Sequence, residues 1–156
     1  MKQNPQFILY TGCMFSGKTT KLLQELNRYK IQGKRIIAFK PSLDNRYSDE
    51  EITTHDNERF PAHPISSAEE IYGFLASQET IYDVISCDEA FMLPKIADVL
   101  IWIYRQGTTI LVSSLDLSSS LKPFKEIERM FPFATKVEKL TAVCEICKGD
   151  AAYTFK

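Results

Sequence analysis

Gly12-Cys13-Met14-Phe15-Ser16-Gly17-Lys18-Thr19 stands between an apolar run, Phe7-Ile8-Leu9-Tyr10, and a stretch with Leu22, Leu23, Leu26 and Tyr29 at helical spacing. A strand, then G-x-x-x-x-G-K-T, then a helix is the arrangement of a phosphate-binding loop. Gly12 and Gly17 open backbone angles closed to other residues and let the main chain approach a phosphate. The loop N–H groups and the positive end of the following helix attract the anion. Lys18 is placed to reach the terminal phosphates, and the Thr19 hydroxyl to ligate Mg²⁺. The helix is expected over 20–32, with Gly33 at its C-terminal end and a second strand at Arg35-Ile36-Ile37-Ala38-Phe39. Strand, helix, strand over this length implies a right-handed crossover and a parallel sheet.

A second acidic element supports the first. Tyr82-Asp83-Val84-Ile85-Ser86-Cys87-Asp88-Glu89 is an apolar strand ending in two carboxylates, the form of a Walker-B element. Asp88 is expected to hold Mg²⁺, directly or through water. Glu89, one residue on, is placed to act as a general base. Taken without the phosphate loop, Asp-Glu would only end a strand and cap the next helix.

Between these elements, residues 40–64 form a long polar stretch broken by Pro41, Pro61 and Pro64, with only Ile52-Thr53-Thr54 strand-like. Loops of that length in compact domains are usually functional or mobile. By composition its Arg46, Tyr47, His55 and Asp56 read as solvated residues. Ser66-Ser67-Ala68-Glu69 spells a capping box before a short helix through Ile71, Phe74 and Leu75. A further helix is expected over 94–106 and a buried strand at Thr108-Thr109-Ile110-Leu111-Val112. Ligands in open parallel sheets bind beyond the strands' carboxyl ends, so the loop from Leu115 to Phe124 should line the site. A short helix over 124–131 and a last strand over 134–143 follow.

The 156 residues suit one domain with a small appendage, and 44% hydrophobic with 25% charged residues is the composition of a soluble globular protein. A net charge of −1 gives no surface for a polyanion, so nucleic acid is not an expected partner. No run approaches the length of a membrane helix, and Met1-Lys2-Gln3-Asn4-Pro5 lacks a signal-peptide core. Four scattered cysteines, Cys13, Cys87, Cys144 and Cys147, read as reduced thiols in a cytoplasmic compartment. Cys144-Glu145-Ile146-Cys147 with Lys148-Gly149 has the spacing of a zinc knuckle, but structural zinc needs four ligands and this is half a set. A redox C-x-x-C normally opens a helix in a different kind of unit.

These stretches together resemble the type II thymidine kinases. The matching residues are 12–20 in the form G-x-M-F-S-G-K-T-T, Lys40-Pro41-Ser42-Leu43-Asp44-Asn45-Arg46-Tyr47-Ser48, Thr54-His55-Asp56 and Asp88-Glu89-Ala90. Leu115-Asp116, Lys122-Pro123-Phe124 and Lys139-Leu140-Thr141-Ala142-Val143-Cys144-x-x-Cys147 complete the series, in family order along nearly the whole chain. The resemblance implies an α/β fold with a P-loop NTPase-like parallel sheet flanked by helices, and transfer of the ATP γ-phosphoryl group to the 5′-hydroxyl of thymidine. It implies Glu89 as catalytic base, Arg46 as a charge-neutralising arginine, and residues 12–19 with Asp88 as the ATP and Mg²⁺ site. Met14, Leu115 and Phe124 correspond to positions around the thymine, and the family is usually a homotetramer with a zinc-bearing lasso. Residues 1–140 would then be the kinase domain and 141–156 a truncated zinc-ribbon (lasso) remnant carrying Cys144 and Cys147. The chain departs from the family pattern at Phe91-Met92 and at Ser119, where an aromatic residue on the thymine is usual. Those departures keep two other readings open: a kinase-derived nucleotide-binding or structural protein without catalysis, and an ATPase in which Glu89 activates water.

Overall fold

The computed structural model describes residues 4–42, 50–54 and 58–153. Arg46, Tyr47, His55 and Asp56 lie outside the described residues.

Six parallel strands make the central sheet. They are β1 (Phe7–Gly12), β2 (Ile36–Pro41), β5 (His63–Ile65), β6 (Val84–Cys87), β7 (Thr109–Leu115) and β8 (Lys136–Leu140), in the order β5-β2-β6-β7-β1-β8. Inner strands β1, β6 and β7 are buried along nearly their whole length and are mostly apolar, as a parallel sheet covered by helices requires. Helix α1 (Lys18–Ile31) crosses one face from β1 to β2, burying Leu22, Leu23 and Leu26 against Ile8, Tyr10, Ala38, Val84 and Leu111. Helices α2 (Glu70–Ser77), α3 (Ile96–Arg105) and α4 (Lys125–Met130) cover the other face over Phe7, Leu9, Phe39, Ile85, Cys87, Ile110 and Val112. The expected parallel α/β sheet flanked by helices is therefore the fold.

The stretch 40–64 holds more regular structure than its composition suggests. A hairpin of β3 (Glu51–Thr53) and β4 (Arg59–Pro61) sets Ile52 opposite Phe60, and both are buried beside α1's core. Strand β5 adds to the sheet beside β2, with Pro64 opposite Lys40. Proline is tolerated there because β5 is an edge strand.

Two local expectations are corrected. The cap at 66–69 is shifted by one residue: the Glu70 carboxylate, not Glu69, accepts from the Ser66 N–H at 2.8 Å, and α2 begins at Glu70. The single strand over 134–143 is two. β8 ends at Leu140, and β9 (Ala142–Val143) pairs antiparallel with β10 (Asp150–Ala151) instead of continuing along β1.

Candidate active site

The phosphate loop joins the buried end of β1 to α1 at the sheet's carboxyl edge, where β6 and β7 also end. Its two glycines serve different ends. Gly12 has φ 144°, and a Cβ there would lie 2.3 Å from the Leu140 carbonyl oxygen on β8, so no larger residue fits. Gly17 has φ 87° at the start of α1, but a Cβ there would meet open space. Gly17 is required by its backbone angle, Gly12 by angle and crowding together.

Lys18 Nζ donates to the Cys13 carbonyl at 2.8 Å, folding the side chain back over its own loop. Burial holds the Lys18 ammonium below its usual range, opposed by the charges of Asp88, Glu89 and Asp116. The Thr19 hydroxyl donates to Asp88 Oδ1 at 3.2 Å, joining loop to acidic strand across 69 positions of sequence. Asp88 is held in turn by its N–H on the Phe39 carbonyl at 3.0 Å. Glu89 follows with φ 51°, a left-handed angle uncommon for a residue with a side chain. That turn breaks strand alternation and lets Asp88 and Glu89 line the same cleft.

The cleft is lined by Met14, Phe15, Gly17, Lys18, Thr19, Asp88, Glu89 and Leu115 from among the residues that sequence singles out. Gly12, Cys13 and Ser16 are not among the lining residues. Phe124 is set one ring back, its ring centre 5.0 Å from that of Phe91 and tilted to it by 39°, and Phe91 is the ring that lines the cleft. Lys40, Thr53, Thr54, Met92 and Ser113 also line it, and sequence gives none of them a role. Of these, Lys40 carries a signal, because it opens the Lys40-Pro41 motif. Its ammonium is buried and donates to the Glu51 carbonyl at 2.8 Å, tying β3 to the end of β2.

The C-terminal hairpin leans on the phosphate loop. The Cys13 thiol donates to the Ala151 carbonyl at 3.3 Å, Lys139 pairs with Asp116 at 3.1 Å, and the Lys139 ammonium stands 5.7 Å from the centre of the Tyr153 ring. Within the hairpin, the Cys144 N–H bonds the Gly149 carbonyl and the Lys148 N–H bonds the Cys144 carbonyl. Backbone hydrogen bonds from Cys147 and Ile146 lower the Cys144 thiol's pKa. No group of three or more metal-ligating side chains occurs among the described residues. Two thiols do not make a structural zinc site, so the zinc expectation is not supported. Thr19 and Asp88, by contrast, present hard oxygen donors side by side, which fits Mg²⁺.

Residues 5–156 match the family model for thymidine kinase. The chain belongs to the thymidine kinase family. It is 36% identical over 149 residues to the thymidine kinase of Mesoplasma florum, covering 94% of this chain and 73% of that one. Thymidine kinase 1 of Dictyostelium discoideum is 34% identical, with 92% of this chain and 63% of that one covered. The Pyrobaculum aerophilum thymidine kinase is also 34% identical, over 94% and 80%. Among solved structures, the Legionella pneumophila ATPase DotB superposes with a TM-score of 0.55 at 11% identity, over 97% of this chain and 44% of that one. This last likeness concerns the fold alone. No helix among the described residues is long and apolar enough to cross a membrane, and all four cysteines are free thiols.

Proposed function

We propose that this protein is an ATP-dependent thymidine kinase, moving the ATP γ-phosphoryl group to the 5′-hydroxyl of thymidine. The observation that carries the reading is the meeting of Thr19 and Asp88 at 3.2 Å at the foot of a cleft that also holds Lys18 and Glu89. The loop N–H groups and Lys18 bind the triphosphate, Lys18 leaving the Cys13 carbonyl to do so. Thr19 and Asp88 would hold Mg²⁺, which when bound neutralises charge on the phosphate oxygens. Glu89 accepts the proton of the 5′-hydroxyl as that oxygen attacks phosphorus. Met14, Leu115 and Phe91, backed by Phe124, form an apolar wall suited to the flat face of a base. Arg46 is proposed, from its motif, to stabilise the transferring group. Residues 1–140 act as the kinase domain, with 141–156 as an appendage.

The test is ATP turnover with thymidine, deoxyuridine, deoxycytidine or no acceptor. Formation of thymidine monophosphate that depends on thymidine supports the reading. ATP consumption indifferent to any nucleoside rejects it.

Lys18 gives a second expectation. Its ammonium costs stability in the ligand-free protein, because the unfolded chain retains a proton more readily than the folded one. That cost shrinks as pH rises toward the ordinary lysine value of 10.5. Lys18→Met should therefore melt above the parent at neutral pH without nucleotide, the gap narrowing as pH approaches that value, and should lose the stabilisation that ADP confers. Thermal melts with and without ADP across that range check both parts.

A homo-oligomer in the cytoplasm is also proposed. Tyr72, Trp102, Phe131 and Phe133 are exposed on the α2–α3–α4 side, with Trp102 52% accessible, and adjoining apolar side chains of this size mark association surfaces. Trp102→Glu is expected to lower the molar mass measured by light scattering, whereas an unchanged mass would remove this face from the interface.

A further inference from the structure

Ser113 is 1% exposed, and its Oγ has no hydrogen-bond partner among the described residues. A buried hydroxyl without a partner is costly, and each such group in a folded protein calls for an explanation. Packing does not supply one, because alanine would fill the position without the penalty. Its neighbour Ser114 behaves differently: that hydroxyl donates to the Leu115 carbonyl at 2.9 Å and accepts the Phe91 N–H at 3.1 Å.

The position of Ser113 supplies the explanation. Strands β6 and β7 pair in parallel with Cys87 opposite Val112, so the next residues on each, Asp88 just past the end of β6 and Ser113 within β7, stand side by side. Ser113 lies two residues beyond Leu111, which packs on the α1 face, and alternation puts both on that face. Asp88 is on the same face, as its contact with Thr19 at the start of α1 requires. Ser113 also lines the cleft. Its hydroxyl is therefore beside the metal-holding pair yet out of reach of bulk water, which is the state of a donor kept dry until ligand arrives.

We propose that Ser113 is a positioning residue for the metal–nucleotide complex: its hydroxyl takes as partner a water bound to Mg²⁺ beside Asp88. The inference rests on Asp88 and Thr19 being the metal site of the proposed kinase. In the ligand-free protein the hydroxyl is an unrelieved cost. With Mg²⁺ and nucleotide bound, a metal-polarised water and the Ser113 hydroxyl would satisfy one another, which would hold that water beside Asp88.

Ser86 provides an internal control. It is fully buried on β6, its Oγ is likewise without a partner among the described residues, and it does not line the cleft. ADP affinity would be measured by calorimetry with Mg²⁺ and with EDTA, with no nucleoside present, for the parent chain, Ser113→Ala and Ser86→Ala. Failure to phosphorylate thymidine thus leaves this test standing. Both variants are expected to melt above the parent without ligand, since each loses an unsatisfied hydroxyl. Only Ser113→Ala should lose part of the affinity gain that Mg²⁺ brings, by about tenfold, the scale of a hydrogen bond to a charged group. An unchanged Mg²⁺ gain in Ser113→Ala overturns the assignment, as does an equal weakening of ADP with and without the metal. A Ser113→Ala chain that melts lower, or does not fold, overturns it too, because the hydroxyl would then have a partner in the free protein.

Discussion

Glu89→Gln is expected to lower thymidine phosphorylation by at least about 100-fold, while ADP affinity stays within about twofold of the parent. The amide matches the carboxylate in volume and adopts the same backbone angle with similar ease, so the φ of 51° should be kept. What it cannot do is accept the 5′-hydroxyl proton. ADP presents no reacting hydroxyl, so its binding does not call on that function. Single-turnover kinetics with saturating ATP and thymidine, run beside ADP titrations, separate the two effects. A variant with parental turnover would remove Glu89 from the role of base. A loss of turnover matched by an equal loss of ADP affinity would instead make it a structural support of the phosphate loop.

The largest effect on stability is expected from Gly12→Ala, about 3 kcal/mol from overpacking and a left-handed backbone together. The new methyl would stand 2.3 Å from the Leu140 carbonyl oxygen, and that atom belongs to a paired sheet strand that cannot rotate away. Relief requires β1 and β8 to part at the point where the phosphate loop begins. For a chain of this size, about 3 kcal/mol corresponds to a fall in Tm of roughly 6–12 °C. Gly17→Ala meets no neighbour and carries only the cost of its backbone angle, so it should melt between Gly12→Ala and the parent. A Gly12→Ala chain as stable as Gly17→Ala would show that β8 yields at low cost.

The parts of the site that are contiguous in the chain are legible in the sequence. The phosphate loop is one such part, and the strand ending at Asp88 and Glu89 is another. Each carries its chemistry in adjacent residues whose spacing is set by local backbone geometry. Arg46 is legible only through its motif and lies outside the described residues. Strand β3 shows in the sequence as the strand-like Ile52-Thr53-Thr54, but its partner β4 and strand β5 are not legible, because each of those three-residue strands offers a single well-buried residue (Phe60 and Ile65) and prolines interrupt the run. Their stability comes from packing on α1 and pairing with β2, and neither leaves a periodic trace. Correspondence with the family puts Phe124 on the base, whereas the fold interposes Phe91 between it and the cleft.

Ser113 illustrates the remaining gap. In sequence it is a serine just past an apolar strand, with nothing to separate it from Ser114. Only the register of β6 against β7 puts it beside Asp88, and only the packing around it removes every other partner among the described residues. Fold class, family, and the phosphate-binding and acidic elements are all written in short segments with fixed local geometry, so the order of residues suffices for them. It does not suffice to say which side chains share the cleft, why Gly12 admits no side chain, or which hydroxyls there have no partner among the described residues. Those properties depend on distances between strands that are remote along the chain, and such distances are set by the packing of the whole sheet.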